Sequence, residues 1–275
     1  MSSSPSLLPG QRPRARGAAS NAAGRFETLR PEAADDGWDI AHDDRLLRTE
    51  VRNEVPRSAL SFNRSPDLPF DRSVNPYRGC EHGCIYCFAR PTHAWLNLSP
   101  GLDFETQLIA RPGIAAVLDR ELRARTYVPQ VIALGTNTDP YQPVEARLKL
   151  MREVVGVLAD FRHPLAITTK GTLIERDIDL LAPMAVQGLL RVGISVTTLD
   201  AGLSRRMEPR AALPARRLQV IRRLAEAGIP VRAMLAPVIP GLTDHEIEPL
   251  LQAVRDAGAV AASWIMLRLP REVSP

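Results

Sequence analysis

The feature that most constrains the fold of this chain is a series of short apolar segments, rich in β-branched residues, from residue 130 onward. Five of them begin at intervals of 26 to 40 residues, at 130–135, 165–170, 191–197, 231–238 and 263–268. This spacing is close to the length of one βαβ unit, about 30 residues. The segments are continuously apolar and do not alternate, which predicts parallel strands that are buried on both faces.

Apolar stripes with helical spacing lie between these segments, for example over 148–158 and 218–225. A further helix is predicted to begin at Thr243, where Glu246 completes a capping box. With a first strand over 73–77, six strands alternate with helices, which is too few for a closed eight-stranded barrel. The predicted fold class is therefore α/β, as a partial (β/α)6 barrel or as a doubly wound sheet.

Residues able to do chemistry lie at or just beyond the carboxyl ends of the predicted strands. The cysteines follow the first strand, Thr136–Asp139 the second, Lys170 the third and Thr197 the fourth. Both candidate architectures place their binding sites at this edge of the sheet. The sequence therefore predicts one site that draws residues from several strand ends.

Composition divides the chain into four parts. Residues 1–40 are rich in Ala, Arg, Ser, Pro and Gly without periodicity, which predicts a disordered tail. Residues 41–70 stay polar and contain several prolines, which predicts an irregular lead-in that wraps the domain. The core domain is predicted over 71–270, and residues 271–275 form a short C-terminal end.

The net charge of +4 is confined to the N-terminal part of the chain. Residues 1–30 hold five Arg and one Glu, and the remaining sequence holds 30 basic and 30 acidic residues. Attraction to nucleic acid is therefore expected mainly from the tail, and the charge of the core does not support it. No apolar run approaches the roughly 20 residues of a membrane span and no secretory signal is evident, so we expect a cytoplasmic protein.

The three cysteines of the chain lie within eight residues, as Cys80-x3-Cys84-x2-Cys87. An odd, clustered set is a poor disulfide framework and favours metal binding in a reducing compartment. Three thiolates are one fewer than a four-iron cubane requires, which leaves one iron open to another ligand. Two alternatives remain, a Cys3His zinc site closed by His82 or His93, and ordinary buried cysteines.

The cysteine motif, with Tyr86 before the third cysteine and its place after the first strand, resembles the signature of the radical S-adenosylmethionine superfamily. Within it, the chain is similar to the branch of spore photoproduct lyase and its uncharacterised, DNA repair photolyase-like bacterial relatives. Further segments carry the resemblance: ALGTNTDPYQPVE (133–145), TTKGTLIERD (168–177), VGISVTTLD (192–200), MEPRAALPARR (207–217) and AGIPVRAMLAPVIPG (227–241).

This resemblance implies a partial barrel of the radical S-adenosylmethionine type, with a 4Fe–4S cluster on Cys80, Cys84 and Cys87. It implies an enzyme that reductively cleaves S-adenosylmethionine to methionine and a 5′-deoxyadenosyl radical, which abstracts hydrogen from a substrate. An electron donor such as flavodoxin or ferredoxin is the expected partner. The substrate, and the catalytic residues that act on it, are not implied.

The resemblance also implies seven residues that bind the S-adenosylmethionine cofactor. They are Lys170 at its carboxylate, Thr136, Asn137 and Asp139 at its amino group, Ser195 at the ribose, and Tyr86 and Ala236 at the adenine. Considered as residues alone, the segment before Pro140 also fits an Asx turn. Glu208 and Arg210 resemble a segment of the same branch, and a solvated ion pair between charged residues is the alternative for them.

One position departs from the lyase branch, in which a further cysteine before the second-strand loop donates a hydrogen atom. Here 133–136 reads Ala-Leu-Gly-Thr, and the chain has no fourth cysteine. A photoproduct lyase acting on DNA, with Tyr86 or Tyr141 as donor, is therefore the second hypothesis. A non-catalytic Cys3His zinc-binding module is the third. Relatives usually extend beyond 271–275, which implies a truncated chain or an open substrate site.

Overall fold

The computed structural model describes residues 15–27, 47–271 and 273. Its strands are β1 Glu50–Asn53, β2 Leu60–Phe62, β3 Arg72–Val74, β4 Tyr77–Arg78, β5 Gln107–Ala110, β6 Ile132–Leu134, β7 Leu165–Thr169, β8 Leu190–Ser195, β9 Val231–Val238 and β10 Ala261–Met266. Its α-helices are α1 Asp103–Thr106, α2 Ile114–Leu122, α3 Glu145–Leu148, α4 Leu150–Asp160, α5 Ile178–Val186, α6 Ala201–Met207, α7 Pro214–Glu226 and α8 Ile247–Asp256. Short 3-10 helices span Arg90–Leu96, Leu173–Asp177 and Asp244–Glu246. None of the described helices has the length and apolar character that crossing a bilayer requires.

The main sheet has the strand order β10-β9-β8-β7-β6-β3-β2. Neighbours from β3 to β10 are parallel, and β2 pairs antiparallel with β3 at one edge. Helices lie between consecutive parallel strands, with α2 before β6, α4 before β7, α5 before β8, α7 before β9 and α8 before β10. The six parallel strands follow one another in chain order. The first and the last of them, β3 and β10, do not pair with each other in the described sheet, so the strands form a partial (β/α)6 barrel, as predicted.

The core lies between the sheet and its helices. Successive residues of β6, namely Ile132, Ala133 and Leu134, are all buried, which is the pattern of a parallel strand covered on both faces. Met151 and Leu158 of α4 lie at helical spacing and belong to the same core. Burial of each such aliphatic side chain contributes about 1.5–3 kcal/mol, so the continuous apolar runs determine where the sheet forms.

The predicted first strand, 73–77, is divided between two sheets. Arg72–Val74 forms β3 of the main sheet, whereas Tyr77–Arg78 forms β4 of a second sheet with the order β1-β5-β4. Pro76 lies between them and has no backbone N–H to donate to a continuous ladder. The cysteines follow β4 directly, so their loop begins beyond the carboxyl end of the first parallel strand.

The lead-in predicted to be irregular over 41–70 contains two strands, so this prediction is wrong for the described part of it. β1 pairs in parallel with β5 in the small sheet, and β2 covers the edge of the main sheet at β3. These strands have only four and three residues, and their regularity comes from pairing with distant neighbours. Residues 41–46 lie outside the described residues.

The tail predicted to be disordered over 1–40 is ordered at residues 15–27. Arg16 is buried, and Gly17 N donates a hydrogen bond to Glu105 Oε2 at 2.9 Å. Composition misled the prediction because the partner of this segment lies 88 residues further along the chain. Residues 1–14 and 28–40 lie outside the described residues, as do three of the last five.

The capping box predicted for the last helix is wrong. Thr243 Oγ1 accepts a hydrogen bond from Ile239 N at 2.9 Å, and Glu246 Oε2 accepts one from Leu199 N at 2.8 Å. α8 begins only after these residues, behind a 3-10 turn. The two side chains therefore stabilise loops at the carboxyl ends of β8 and β9 and do not cap their own helix.

Candidate active site

The three cysteines lie in one loop that follows β4. Cys80 and Cys84 are buried and Cys87 is half-buried. Cys80 N donates a hydrogen bond to Phe104 O at 2.9 Å, and Cys87 N donates to Cys84 O at 3.3 Å. Ile85 N donates to the carbonyl of Met207 at 3.0 Å, which ties the middle of the loop to the end of α6.

Two glycines allow this loop to fold against its neighbours. Gly79 has φ of 80° and Gly83 has φ of 66°, in the left-handed region that other residues rarely adopt. A Cβ at Gly79 would lie 2.7 Å from Leu108 Cδ2, and one at Gly83 would lie 2.6 Å from Glu105 Oε2. Both positions therefore require glycine for the backbone conformation and for space.

The loop after β6 holds the start of the cysteine loop. The carbonyl of Gly79 accepts hydrogen bonds from Thr138 Oγ1 at 2.5 Å and from Gln142 Nε2 at 3.2 Å. Gln142 Oε1 in turn accepts from Glu81 N at 2.9 Å. Sequence reasoning missed Thr138 and Gln142, although both lie within the strand-end segment that it singled out.

A buried ion pair holds the middle of the cysteine loop. Arg90 Nη2 lies 2.5 Å from Glu105 Oε1, and both side chains are almost completely buried. The same guanidinium donates to the carbonyl of Cys84 through Nε at 3.1 Å and Nη2 at 2.9 Å. Sequence reasoning missed this pair too, because nothing in a loop sequence indicates that its arginine is buried.

Burial raises the pKa of all three thiols. The pKa of Cys84 rises to about 12, although the ammonium of Lys170 acts in the opposite direction. The pKa values of Cys80 and Cys87 are also raised, with burial as the main cause. The thiolate, and not the thiol, is the metal ligand. A cluster that binds here must therefore displace the thiol protons, and its iron supplies the positive charge that stabilises the buried thiolates.

The structure does not form the predicted zinc alternative. His93 Nε2 is within hydrogen-bonding distance of Gln107 O, at 3.0 Å, and His82 Nδ1 lies 3.3 Å from Asp139 Oδ2. Across the described residues, no three His, Cys, Asp or Glu side chains converge as the ligands of one metal ion do. In a four-iron cubane each thiolate binds a different iron, so the sulfurs need not converge on one point.

Asp139 accepts three hydrogen bonds from neighbouring residues of the protein. Its Oδ1 accepts hydrogen bonds from Tyr141 N at 2.9 Å, which is an Asx turn, and from Thr169 Oγ1 at 2.5 Å. Its Oδ2 accepts from Lys170 N at 2.8 Å. Burial opposes ionisation, but His82 and these hydrogen bonds bring the pKa of Asp139 down to about 2. The carboxylate therefore joins the ends of β6 and β7.

Glu208 is the centre of a second buried network, at the ends of β7 and β8. Its carboxylate accepts hydrogen bonds from Tyr86 Oη, from Thr197 Oγ1 at 3.2 Å and from Arg217 Nη2. Lys170 Nζ lies 4.0 Å from Glu208 Oε1 and 5.8 Å from the centroid of the Tyr86 ring. The network thus brings two predicted cofactor-binding residues, Tyr86 and Lys170, to one point.

The protonation states in this network follow from its charges. Burial, together with the neighbouring Glu208, raises the pKa of Tyr86. Burial opposes the charge of Glu208, but Arg217 and Lys170 hold its pKa below the ordinary value. Burial likewise opposes the charge of Lys170, but Cys84 and Glu208 raise its pKa overall. At neutral pH the site therefore holds an ammonium, a carboxylate and a phenol.

The alternative interpretation of Glu208 and Arg210 as a solvated ion pair is wrong, because the two residues do not pair with each other. Glu208 is buried and its guanidinium partner is Arg217, which also donates to the carbonyl of Ser195 at 3.1 Å. Arg210 pairs instead with Glu81, at 3.0 Å. Arg217 was missed because its partners lie on a different strand and loop.

Two other predicted cofactor-binding residues, Ser195 and Asn137, have side-chain polar groups without a hydrogen-bond partner in the described part of the protein. Ser195 is buried at the end of β8, yet its hydroxyl makes no hydrogen bond there. The side-chain amide of Asn137 makes none either, although its backbone N donates to Asn75 Oδ1 at 3.3 Å. Lys170 Nζ has the distant Glu208. Thr136 makes a long contact with Asn75, at 3.4 Å.

Ala236 lies near the carboxyl end of β9 and is half-buried. Its neighbour two residues earlier, Met234, pairs with Ser195 of β8. Ala236 therefore lies in the same strand-end region as Lys170, which follows β7, and Ser195, which is the last residue of β8. All predicted cofactor-binding residues thus lie in loops or strand ends at one edge of the sheet.

The partial barrel of six parallel strands and its cysteine loop at the carboxyl ends define a radical S-adenosylmethionine protein. Residues 74–254 match the radical SAM superfamily, and the chain belongs to this family of enzymes. An uncharacterised protein of Mycobacterium tuberculosis is 43% identical over 226 residues, which are 82% of this chain and 64% of that protein. One of Methanocaldococcus jannaschii is 28% identical over 174 residues, 63% of this chain and 62% of its own length. The chain thus spans less than two thirds of the length of these relatives.

Solved structures show the same fold at low sequence identity. Spore photoproduct lyase with bound AdoMet and dinucleoside spore photoproduct has a TM-score of 0.62 and 15% identity, over 81% of this chain and 64% of that one. Streptococcus suis SuiB bound to S-adenosylmethionine has a TM-score of 0.52 and 17% identity, over 72% of this chain and 40% of that one. At such identities the likeness establishes the architecture and leaves the chemistry to this chain's own residues.

Proposed function

We propose that this chain binds a 4Fe–4S cluster through Cys80, Cys84 and Cys87 and reductively cleaves S-adenosylmethionine. The observation that carries the proposal is the position of the three-cysteine loop. It lies at the carboxyl ends of a partial barrel, where the side chains of Ser195 and Asn137 also lie without a hydrogen-bond partner in the described residues. When bound, a reduced cluster supplies the electron that splits the sulfonium of S-adenosylmethionine and yields a 5′-deoxyadenosyl radical.

The donor set fits such a cluster. Three thiols come from one loop whose backbone is fixed by buried hydrogen bonds on both sides of Cys84. Family membership supports an iron–sulfur cofactor, and three cysteine ligands leave one iron of a cubane free to bind S-adenosylmethionine. Lys170, whose ammonium influences the pKa of Cys84 and Cys87, contributes positive charge close to the thiolates.

The chain's own residues then bind and orient S-adenosylmethionine. Lys170 donates to its carboxylate, a charge-assisted contact of the stronger kind. Asn137 and Thr136 contact its amino group, and the free hydroxyl of Ser195 contacts the ribose. Asp139 acts on the backbone of Lys170 and positions it. The direct contact of Asp139 with the amino group, which the resemblance implies, stays a prediction.

Glu208 orients the adenine end of the site. It accepts the hydrogen bond of Tyr86 and so fixes the face of the ring that lies beside Lys170. Tyr86 and Ala236 would enclose the adenine, since an aromatic face and a small aliphatic side chain exclude water from a flat base. Arg217 pairs with Glu208 and offsets its negative charge, so the ammonium of Lys170 remains available to the ligand.

The substrate of the radical stays open. Photoproduct repair with a cysteine as hydrogen donor has no support here, because 133–136 carries no thiol and the chain has no fourth cysteine. An electron donor such as flavodoxin or ferredoxin and a cytoplasmic location are parts of the same proposal, since the cluster needs a low-potential electron and a reducing compartment.

The test is anaerobic reconstitution with iron and sulfide, followed by dithionite reduction. We expect an EPR signal of a reduced 4Fe–4S cluster that changes when S-adenosylmethionine is added, and formation of 5′-deoxyadenosine. The variants Cys80→Ala, Cys84→Ala and Cys87→Ala serve as controls, and each should lose both signals. Stoichiometric zinc without a cluster, or normal cleavage in any of the three variants, would show the proposal to be wrong.

A further inference from the structure

Residues 15–27, called here the N-terminal strap, lie directly on the cysteine loop. A Cβ at Gly17 would lie 1.8 Å from the carbonyl oxygen of Gly83, the residue before Cys84. Such a distance means that two stretches of backbone are in contact with no room for any side chain. The strap is therefore packed against the cysteine loop at its centre.

The strap also completes the hydrogen bonding of a buried carboxylate. Glu105 Oε2 accepts from Gly17 N at 2.9 Å, and Oε1 accepts from Ala18 N at 2.9 Å and from Arg90 at 2.5 Å. Arg16 donates to the carbonyl of Glu105 at 2.8 Å. Without the strap, the Glu105 carboxylate would lose two of its three hydrogen-bond donors, the backbone N–H groups of Gly17 and Ala18. A hydrogen bond to a charged group contributes about 1.5–3 kcal/mol.

Contacts continue along the strap past the cysteine loop. The carbonyl of Ser20 accepts from Leu102 N at 3.2 Å, and the carbonyl of Ala22 accepts from Ser99 Oγ at 2.6 Å. Near its end, the ring of Phe26 packs edge-on against Trp95 with centroids 4.7 Å apart. The strap is thus attached at several points to the segment 95–105, which also supplies Glu105.

We propose that the N-terminal strap is a working part of the cluster site, which keeps the cysteine loop closed around the cluster and limits the access of oxygen to it. The inference rests on the proposed function, since it needs a cluster to protect. Its mechanism is positional: the strap fixes Glu105, Glu105 fixes Arg90, and Arg90 holds the carbonyl of Cys84. Gly17 and Arg16 are positioning residues and do not touch the cofactors.

Three glycines of the same region allow a matched test in the full-length chain. Gly17→Ala places a methyl group 1.8 Å from Gly83 O, and Gly101→Ala places one 2.1 Å from Ser20 O, so each forces the strap away from one side of its contact. Gly24→Ala makes the same change where the nearest heavy atom is 3.4 Å away. Gly17 and Gly101 do not have positive φ, so alanine acts at both through collision.

The experiment measures strap release and cluster stability separately. Trypsin cleavage after Arg16 and Arg25 in the apo protein reports release, and loss of cluster absorbance in air-saturated buffer reports stability. In Gly17→Ala and Gly101→Ala we expect faster cleavage and bleaching about tenfold faster than in the wild type, the ratio that one lost hydrogen bond to a charged group represents. Gly24→Ala should behave as the wild type in both measurements, and all three should take up iron.

Two results would overturn the proposal. One is a strap that is released in both variants while the cluster bleaches at the wild-type rate, since the strap would then be a structural attachment only. The other is full protection of the strap in Gly17→Ala, because the contact with Gly83 would then not exist. A wild-type chain that binds no iron would instead contradict the proposed function, and that outcome is recognisable without any variant.

Discussion

The cysteine loop and the strand ends beside it differ in how many of their polar side chains are held by hydrogen bonds within the protein. Around the loop, the Glu105 carboxylate accepts hydrogen bonds from two backbone N–H groups and from Arg90, and Gln142 uses both its oxygen and its nitrogen. At the strand ends, the hydroxyl of Ser195 and the amide of Asn137 have no partner in the described part of the protein. Both regions belong to the proposed site, so the difference calls for a physical reason.

A polar side chain whose hydrogen bonds are made within the protein helps to hold the fold, and one without a protein partner remains available to a ligand. The paired groups around the cysteines therefore determine geometry, and the unpaired groups at the strand ends are those that the proposed ligand would complete. Asp139 belongs by position to the strand ends but by bonding to the paired groups. This contrast predicts which substitutions reduce stability and which reduce affinity.

The largest expected effect is that of Arg90→Leu. Removing the guanidinium leaves Glu105 buried and ionised without its cation, which costs about 3–5 kcal/mol. We expect the free energy of unfolding of the apo protein, measured in urea, to fall by that amount. The double variant Arg90→Leu with Glu105→Leu should recover part of the loss, because no uncompensated charge remains. Equal losses in the single and double variants would contradict the account of the pair.

Asp139→Asn should change the dependence of stability on pH. The pKa of Asp139 is about 2 in the folded chain against an ordinary 3.8, so the ionised carboxylate stabilises the fold above pH 4. That contribution, about 2 kcal/mol, is lost as the pH falls from about 4 towards 2. Urea unfolding of the apo protein at pH 6, 4 and 3 should show a shallower decline for Asp139→Asn than for the wild type. The same substitution at the exposed Asp256 is the control, and an equal decline in Asp139→Asn and wild type would exclude the ionised network.

Lys170→Met should reduce affinity and leave stability nearly unchanged. Its ammonium has one distant carboxylate in the described structure, while a bound carboxylate would accept a charge-assisted hydrogen bond from it. We expect the affinity for S-adenosylmethionine, measured by EPR titration of the reconstituted protein, to fall about tenfold. Lys149→Met changes the one other lysine, which is exposed, and should have no effect. Unchanged affinity in Lys170→Met would remove this residue from the site.

The parts of the site that the sequence predicted are those with local signals. The cysteine spacing, the strand ends and the Asx turn at Asp139 all depend on residues close together in the chain. Continuous apolar runs likewise located five of the six parallel strands. They did not predict burial as well, since exposure alternates along β7 and β9 and most of β10 is exposed.

The parts that sequence reasoning missed depend on contacts between distant residues. Arg217 meets Glu208 and the carbonyl of Ser195 only after α7 packs against the sheet. Gly17 meets Gly83 across 66 positions of the chain, within a segment whose composition predicts disorder. The periodicity of a sequence does not indicate such contacts, because the two partners lie on different elements at no regular spacing along the chain.

The smallest expected effect is also the sharpest comparison, because it concerns two hydroxyls only two positions apart. Ser195 and Thr197 are both buried, but Thr197 donates to Glu208 at 3.2 Å while Ser195 has no partner in the described residues. Ser195→Ala should weaken S-adenosylmethionine binding about fivefold, the equivalent of one neutral hydrogen bond, and leave the unfolding free energy unchanged. Thr197→Val, which keeps the shape of the side chain, should lower that free energy by about 1 kcal/mol and affect binding less. If both variants lose stability and neither loses affinity, the hydroxyl of Ser195 does not contact the ligand. The distinction between side chains that hold the fold and side chains that bind the ligand would then be wrong for these two residues.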